Sequence, residues 1–467
     1  MAEWGRRVAW LALGMVAVLW AVAQQHGRTA RAPELDPRIA AAVKEVSPAR
    51  LKASIEKLVS FYNRSTLSAA DADAIAKGRG IGAAREWIRS EFERYSKDCD
   101  GCLKIELQRF TVNPPARRIL HPTEIVNVVA TLEGTDPANA GRIYVVSGHY
   151  DSRNSENDNV TDPAPGANDD ASGTAVALEC ARVLSQHKFP ASIVFIAFAG
   201  EEQGLYGSAH YAEAAKAAKL EIAAVLNNDI VGGNRTPGDK MQQPQWVRIF
   251  SEGIPAAATP DEIKLIRVTG MENDSPSRQL ARYIRQVAEQ YVTGFEPKLV
   301  SRPDRYLHGG DHLSFNDQGF AAVRFTEYRE DYNHQHQTPR IESGVEYGDL
   351  PKFVDFAYVA NVARLNAATL ASLASAPAPP ANVRLVTRVL ENDSTLTWSA
   401  SPGGLATNYE VLWRPTTDTD WPPQNVEAVG NVTQATLKRS KDNVILAVRA
   451  VDAKGHRSVA VAPLPER

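Results

Sequence analysis

The sequence has few cysteines, no excess of charge of one sign and no bias towards disorder. Three cysteines in 467 residues cannot build a disulfide scaffold or a cysteine-rich zinc module. Lys and Arg number 52 against 55 Asp and Glu, for a net charge of −3, so a nucleic-acid partner is not expected. Hydrophobic residues at 43% and charged residues at 23% are ordinary globular usage, which excludes collagen, coiled coil and general disorder. The length indicates more than one domain.

The N-terminus has the pattern of an export signal. Arg6 and Arg7 precede an uncharged, mostly apolar run over 8–23, which ends in the small-x-small pattern Ala21-Val22-Ala23. The run is shorter than the roughly 20 residues that span a bilayer. We therefore predict a signal peptide over 1–23 and a secreted, periplasmic or cell-surface protein, with an uncleaved anchor as the alternative. Outside the cytosol, Cys99 and Cys102 in Cys-Asp-Gly-Cys favour a local disulfide over free thiols.

Periodicity divides the rest of the chain into two domains. Residues 24–38 are predicted to be a linker, and over 39–375 helical and strand patterns alternate, which is typical of an α/β domain with a parallel or mixed sheet. The predicted helices cover 39–61 (divided at Pro48), 82–95, 172–185, 208–218, 278–291 and 354–373, and the predicted strands cover 103–112, 125–132, 143–148, 192–199, 222–230 and 321–325.

The C-terminal part has a different pattern. The Pro-rich segment 376–380 is predicted to be a stiff linker, and short alternating runs follow over 381–467 with no helix signal, as in an all-β sandwich. The runs Leu396-Thr-Trp398, Tyr409-x-Val-x-Trp413 and Val448-x-Ala-Val-Asp-Ala-x-Gly455 resemble a fibronectin type III domain. This resemblance implies attachment to a cell surface, a polysaccharide or a protein partner.

Polar residues concentrate where the apolar strands of the first domain end. His149 and Asp151 follow one buried strand and share a face of the extended chain. A carboxylate beside a histidine can hold the second ring nitrogen of a metal ligand. Three further strand-end or helix-start segments carry carboxylates, and a late polar loop carries two histidines: these are Asp169-Asp170, Glu201-Glu202, Asp229, and His334 with His336. Such clusters at strand ends lie where open α/β sheets bind ligands.

The order His, Asp, Glu-Glu, Asp, His resembles the co-catalytic di-zinc exopeptidases, which include secreted leucyl-type aminopeptidases and glutamate carboxypeptidase. The resemblance covers about 50–373 and implies a mixed eight-stranded sheet between helices, with two zinc ions per chain about 3.5 Å apart. It implies metal ligation by His149, Asp169 as the bridge, Glu202, Asp229 and a last histidine. His336 is chosen for that position over His334 because it lies nearer the following Thr-Pro.

The same resemblance assigns the remaining roles. Glu201 matches the general base, Asp151 the residue that orients His149, and Asp170 a position that often follows a cis peptide bond. Candidates for support or substrate contact are Asp311, His312, Tyr328 and Tyr332.

We therefore expect a secreted zinc metallopeptidase, and specifically an aminopeptidase acting on peptide or protein substrates. Three alternatives stay open on the same scaffold. They are a glutaminyl-peptide cyclotransferase, a carboxypeptidase, and a binding protein with a vestigial peptidase domain.

Overall fold

The computed structural model describes residues 35–466. The predicted signal peptide 1–23 and most of the predicted linker lie outside this range. The predicted linker ends too late, because a helix already begins at Pro37 with the Asp36 side chain accepting from the Arg38 N–H. Asp followed by Pro is a strong helix start. No helix within 35–466 is long and apolar enough to cross a membrane.

The first domain is built on a mixed eight-stranded sheet, as predicted. Its strands are β1 Leu103–Val112, β2 Thr123–Leu132, β3 Arg142–His149, β4 Ser192–Phe198, β5 Glu221–Asn228, β6 Trp246–Ser251, β7 Glu296–Val300 and β8 Ala322–Glu327. The spatial order is β1-β2-β4-β3-β5-β8-β6-β7. The central strands β4, β3, β5 and β8 are parallel neighbours, so their carboxyl ends meet at one edge.

Helices cover both faces of this sheet. They are α1 Pro37–Glu45, α2 Pro48–Val59, α3 Ala72–Ala76, α4 Gly80–Asp98, α5 Ala171–Leu184, α6 Glu201–Gly204, α7 Tyr206–Ala217, α8 Pro260–Thr269, α9 Pro276–Tyr291, α10 Asp311–Asp317 and α11 Phe356–Ser375. Neighbouring strand residues face opposite cores: Val146 packs into the core with α5 and α11, and Val145 into the core with α7 and α10. Burial on both faces explains the continuous apolar runs of these strands.

Several elements of the first domain were not predicted, among them β6, β7 and α8. They are short and carry charged residues, as in Trp-Val-Arg-Ile-Phe-Ser for β6. α8 has no buried residue, so it lacks the apolar face that periodicity detects. Cys99 and Cys102, which follow α4, are joined by the predicted disulfide.

The C-terminal part is an all-β sandwich of two sheets. The first domain also contains a small hairpin of β9 Arg340–Glu342 and β10 Val345–Tyr347. The strands of the sandwich are β11 Ala381–Val386, β12 Ser394–Ser399, β13 Ala406–Pro415, β14 Val426–Gly430, β15 Gln434–Leu437, β16 Val444–Asp452 and β17 Leu464–Glu466. The sheets have the orders β15-β12-β11-β17 and β14-β13-β16. Trp398 and Tyr409 pack together between them, with ring centroids 5.5 Å apart.

The sandwich is packed against the first domain. The segment 376–380 is mostly buried, which corrects its interpretation as a simple spacer: the Arg142 guanidinium donates to the Ala376 carbonyl, at 2.7 Å. The Arg414 guanidinium of β13 makes two hydrogen bonds, of 3.1 and 2.9 Å, to the buried Asp274 carboxylate ahead of α9. The Trp421 indole N–H donates to Gln279 of α9.

Candidate metal centre

The end of β3 fixes one histidine of the site. His149 is 1% exposed, and its Nδ1 lies 3.4 Å from Asp151 Oδ1 and 3.2 Å from the Asp151 carbonyl oxygen. The other carboxylate oxygen of Asp151 accepts from the Thr66 hydroxyl at 3.0 Å and from the Glu202 N–H at 3.2 Å. Asp151 is therefore held from two sides, and it leaves His149 Nε2 free to point into the centre.

Asp169 lies between two histidines. Its Oδ1 is 3.2 Å from His149 Nε2, and its Oδ2 is 2.9 Å from His336 Nε2. The loop that carries it is held by Asp349, whose two oxygens accept the Asn168 and Asp169 N–H groups at 2.8 and 2.7 Å. A carboxylate with one oxygen towards each imidazole is arranged to bridge two cations.

Asp170 takes a supporting position. The peptide bond between Asp169 and Asp170 is cis. The Asp170 carboxylate accepts the His149 N–H at 2.9 Å and caps α5 by accepting the Gly173 N–H at 2.9 Å. It thus ties the end of β3 to the start of α5.

The two glutamates follow β4 through Gly200, whose φ is +78°. A Cβ atom at Gly200 would lie 2.8 Å from the Ile125 side chain, so this turn requires glycine. Glu202 Oε2 lies 3.2 Å from His336 Nε2. Glu201 diverges from it and offers a carboxylate oxygen within 4.8 Å of ligand atoms of His149 and Asp229.

Asp229 follows β5 and completes the centre on the side of His149. Its Oδ1 is 3.8 Å from His149 Nε2 and 3.1 Å from Arg324 Nη2. Arg324, on β8, is fully buried and also bonds Asp304 with its Nη1, at 2.9 Å. Neither Arg324 nor Asp304 was predicted to belong to the site. The signal in the sequence was an arginine within the apolar run of β8.

The two loop histidines separate clearly. His336 is at the centre, near Asp169 and Glu202. His334 instead stacks on Phe353, with ring centroids 3.6 Å apart, and its Nδ1 lies 3.1 Å from the Thr236 hydroxyl. Of the two, His336 is the histidine that lies at the centre.

The support candidates have diverse surroundings. Asp311 begins α10 and is buried, and neither carboxylate oxygen has a hydrogen-bond partner within 35–466. His312 points elsewhere, with its Nε2 2.8 Å from the Pro303 carbonyl. Tyr328 packs edge-on against Trp246, and Tyr332 is 68% exposed. Among the described hydrogen bonds, neither tyrosine contacts the centre.

Burial and mutual charge perturb the protonation of these groups. Burial raises the pKa of the Glu201 carboxyl well above its usual range, and the charges of Asp229 and Glu202 add to the rise. Burial also acts on Asp169, but His336 and His149 outweigh it and hold the pKa of Asp169 well below its usual range. Strongly shifted carboxylates and imidazoles in one buried cluster are typical of a functional site.

The donor set fits divalent metal ions. The ligand atoms form two groups, His149 with Glu201 and Asp229, and Asp169 with Glu202 and His336. His149 Nε2 and Glu202 Oε1 are buried without a hydrogen-bond partner among the described residues. Such atoms are costly unless something coordinates them. Imidazole and carboxylate donors suit zinc.

Comparison with known proteins finds a matching family model and similar relatives. Residues 127–340 match the model of "Peptidase family M28", a range that contains every residue named as a ligand above. A probable zinc metalloprotease of Leptosphaeria maculans is 44% identical over 93% of this chain and 98% of its own length. A probable zinc metalloprotease of Pyricularia oryzae is 46% identical over 94% of this chain and 86% of its own. These spans are too long to leave out the C-terminal sandwich.

The fold also has solved counterparts. The LapA aminopeptidase of Legionella pneumophila superposes with a TM-score of 0.50, covering 75% of this chain and 77% of that chain at 21% sequence identity. This likeness is one of fold.

Proposed function

The chain belongs to peptidase family M28, and we propose that it is an exported zinc-dependent aminopeptidase that removes N-terminal residues from peptides. The observation that carries the proposal is the position of Asp169, whose two oxygens face different histidines. The names of the relatives, probable zinc metalloproteases, and of the LapA aminopeptidase support the same reading.

Two zinc ions per chain would be held by five of the six residues of the centre. His149 and Asp229 would hold one ion, Glu202 and His336 the other, and Asp169 would be shared. Glu201 also lies within reach of the first group. We assign it to catalysis because Asp169 Oδ1 already stands 3.2 Å from His149 Nε2 and can serve as the carboxylate of that group.

The residues around the ions have separate tasks. When bound, the zinc ions lower the pKa of a water molecule and polarise the scissile carbonyl. The Glu201 carboxylate is positioned to accept a proton from the attacking water and to donate it to the leaving amine. Asp151 holds the His149 ring through Nδ1, and Asp349 and Asp170 fix the backbone on either side of the bridging carboxylate.

Export is part of the proposal. It is supported by the N-terminal pattern Arg6-Arg7 before an apolar run and by the disulfide Cys99–Cys102, because disulfides persist in oxidising compartments. We further propose that the C-terminal sandwich is of the fibronectin type III kind and binds a surface, polysaccharide or protein partner. Finding the full-length protein evenly in the cytosol of its host would contradict export.

The test of the activity is digestion of a peptide library by the mature protein, with mass-spectrometric readout. We expect successive loss of N-terminal residues, abolished by a chelator and restored by zinc. Loss of C-terminal residues would indicate a carboxypeptidase instead. Release of ammonia from glutamine-initiated peptides without hydrolysis would indicate a cyclase. Tight zinc binding with no reaction on any peptide would favour a binding protein.

A further inference from the structure

Three arginines from two segments gather beside the glutamate pair. Arg117 and Arg118 lie between β1 and β2, and Arg153 follows β3 shortly after Asp151. The Arg118 Nη1 donates to the Glu202 carbonyl at 2.6 Å. The Arg117 side chain runs along α6, because a Cβ atom at Gly204 would be 3.5 Å from its Cδ.

The segment of Arg153 is also anchored next to the metal centre. At the start of this segment, Asp151 contacts the His149 ring. At its end, the Ser155 hydroxyl accepts the N–H of Thr338 at 2.9 Å, and Thr338 lies two residues after His336 in the chain. Arg153 lies in the chain between these two anchored residues and is half-buried.

The two segments that carry these arginines meet at Glu202. The Glu202 N–H donates to Asp151, two residues before Arg153, at 3.2 Å, and the Glu202 carbonyl accepts from Arg118. Like charges held close together cost free energy unless an anion joins them.

No carboxylate within 35–466 forms an ion pair with any of the three. Arg117, Arg118 and Arg153 make no salt bridge within 4.0 Å among the described residues, whereas other arginines near the centre do, as Arg324 does with Asp229 and Asp304. Glu202, whose carbonyl accepts from Arg118, and its neighbour Glu201 are engaged in the proposed zinc chemistry. The cluster thus offers planar guanidinium donors at the rim of an active site without an anion to bind.

We propose that Arg117, Arg118 and Arg153 form a subsite for a substrate carboxylate. A guanidinium binds a carboxylate through paired, charge-assisted hydrogen bonds. The carboxylate has two sources, the free C-terminus of a short peptide or an acidic side chain. The inference rests on the proposed function and deepens it: the preferred substrates are short or acidic peptides rather than long neutral ones.

The test compares peptides that differ only in one negative charge. For the C-terminal source we use leucyl-alanine against leucyl-alanine amide, and for the side-chain source glutamyl-alanine amide against glutaminyl-alanine amide. We expect the zinc-loaded wild-type protein to favour the charged member of at least one pair by about tenfold in kcat/KM, the size of roughly one charge-assisted contact. The pair that shows the preference identifies the source.

The variants are Arg153→Gln and Arg117→Gln, with Arg50→Gln on α2 as the matched exposed control. Each subsite variant should reduce the preference by about threefold to tenfold, and 0.5 M salt should weaken it in the wild type. Arg50→Gln should keep the wild-type preference.

Binding gives a second readout. In the Glu201→Gln protein, calorimetric titration with leucyl-alanine and its amide should show the same order of affinities as the kinetics, if the C-terminus is the source. Hydrolysis of all four peptides without charge preference, or a preference untouched by both variants, would overturn the subsite. Hydrolysis of none would contradict the proposed function itself and the subsite with it.

Discussion

Arg324 Nη2 lies 3.1 Å from Asp229 Oδ1, and both side chains are buried. The same guanidinium bonds Asp304 and the Gly309 carbonyl, each at 2.9 Å through Nη1. One cation on β8 therefore holds a candidate metal ligand on one side and the loop ahead of α10 on the other. The metal centre is supported by a charge that comes from outside the ligand set.

Replacing this arginine should be strongly destabilising. Arg324→Met leaves the Asp229 and Asp304 carboxylates buried without their shared cation, which costs about 3–5 kcal/mol of unfolding free energy. Chemical denaturation measures it. The control is Arg235→Met, because the Arg235 side chain is 62% exposed and lies 3.9 Å from Asp355; it should cost less than about 0.5 kcal/mol. Equal effects of the two variants would contradict the supporting role of Arg324.

The two loop histidines should differ in zinc binding. His336→Ala removes an imidazole that faces Asp169 and Glu202, so the zinc content should fall from two ions to one per chain, as measured by elemental analysis after dialysis. His334→Ala removes a ring that stacks on Phe353 and should retain both ions. If His334→Ala lost an ion and His336→Ala did not, the assignment of the last ligand would be wrong.

The contact between the two domains should contribute to stability. The Arg414 side chain is 1% exposed and makes a bidentate pair with Asp274, which is also bonded by Arg282. Arg414→Met should cost about 3 kcal/mol, since it leaves part of a buried carboxylate uncompensated. It should also speed proteolytic cleavage near 376–380. Arg388→Met in the same sandwich, with a side chain 65% exposed, is the control. Wild-type stability of Arg414→Met would show that the sandwich docks elsewhere.

A histidine joins the start of the described chain to the sandwich. His456 Nδ1 lies 2.8 Å from Asp452 Oδ2, and its Nε2 lies 3.0 Å from Asp36 Oδ2. The Arg38 guanidinium donates to both oxygens of Asp36. Burial opposes protonation of His456, but the two carboxylates outweigh it and raise its pKa above 6.5. The protonated form is thus favoured by folding.

The sign of the pH effect follows from that direction. A pKa raised on folding contributes stability that is complete below the unfolded pKa of about 6.5 and is lost as the pH rises through the folded value. The wild-type melting temperature should therefore fall more between pH 6 and pH 9 than that of His456→Gln. His121→Gln, at an exposed histidine, is the control and should follow the wild type. If the melting temperatures of the wild type and of His456→Gln fell in parallel with pH, the stabilising role of the protonated His456 would be contradicted.

The parts that the sequence predicts well are those with strong local signals. The buried parallel strands β3 and β4 are apolar runs in the sequence, and they end abruptly in His149 and in Gly200-Glu201. Both the strands and the edge of the sheet where these polar residues meet could therefore be predicted. The helix start at Asp36-Pro37 also carries a local signal, an Asp followed by a Pro, but the linker was predicted to continue past it to residue 38.

The parts that escape the sequence depend on long-range partners. In the sequence, Arg324 is a charged residue within an apolar strand, and only the fold brings its partners Asp229 and Asp304 to it. Asp274 and Arg414 meet across 140 positions of the chain, and nothing local marks either as buried. Asp349 supports the Asp169 loop from a segment without any motif. α8 has no buried face, so hydrophobic periodicity had nothing to detect.

We propose Glu201 as the base of a zinc-dependent peptide hydrolysis at the centre around Asp169. The most direct measurement is the kcat of purified Glu201→Gln on a peptide that the wild type cleaves, with zinc content determined on the same sample and Glu213→Gln, an exposed glutamate of α7, as the control. We expect two zinc ions in all three proteins, wild-type cleavage by Glu213→Gln, and a kcat lower by about 10²–10⁴-fold in Glu201→Gln. Wild-type cleavage by zinc-loaded Glu201→Gln would contradict it.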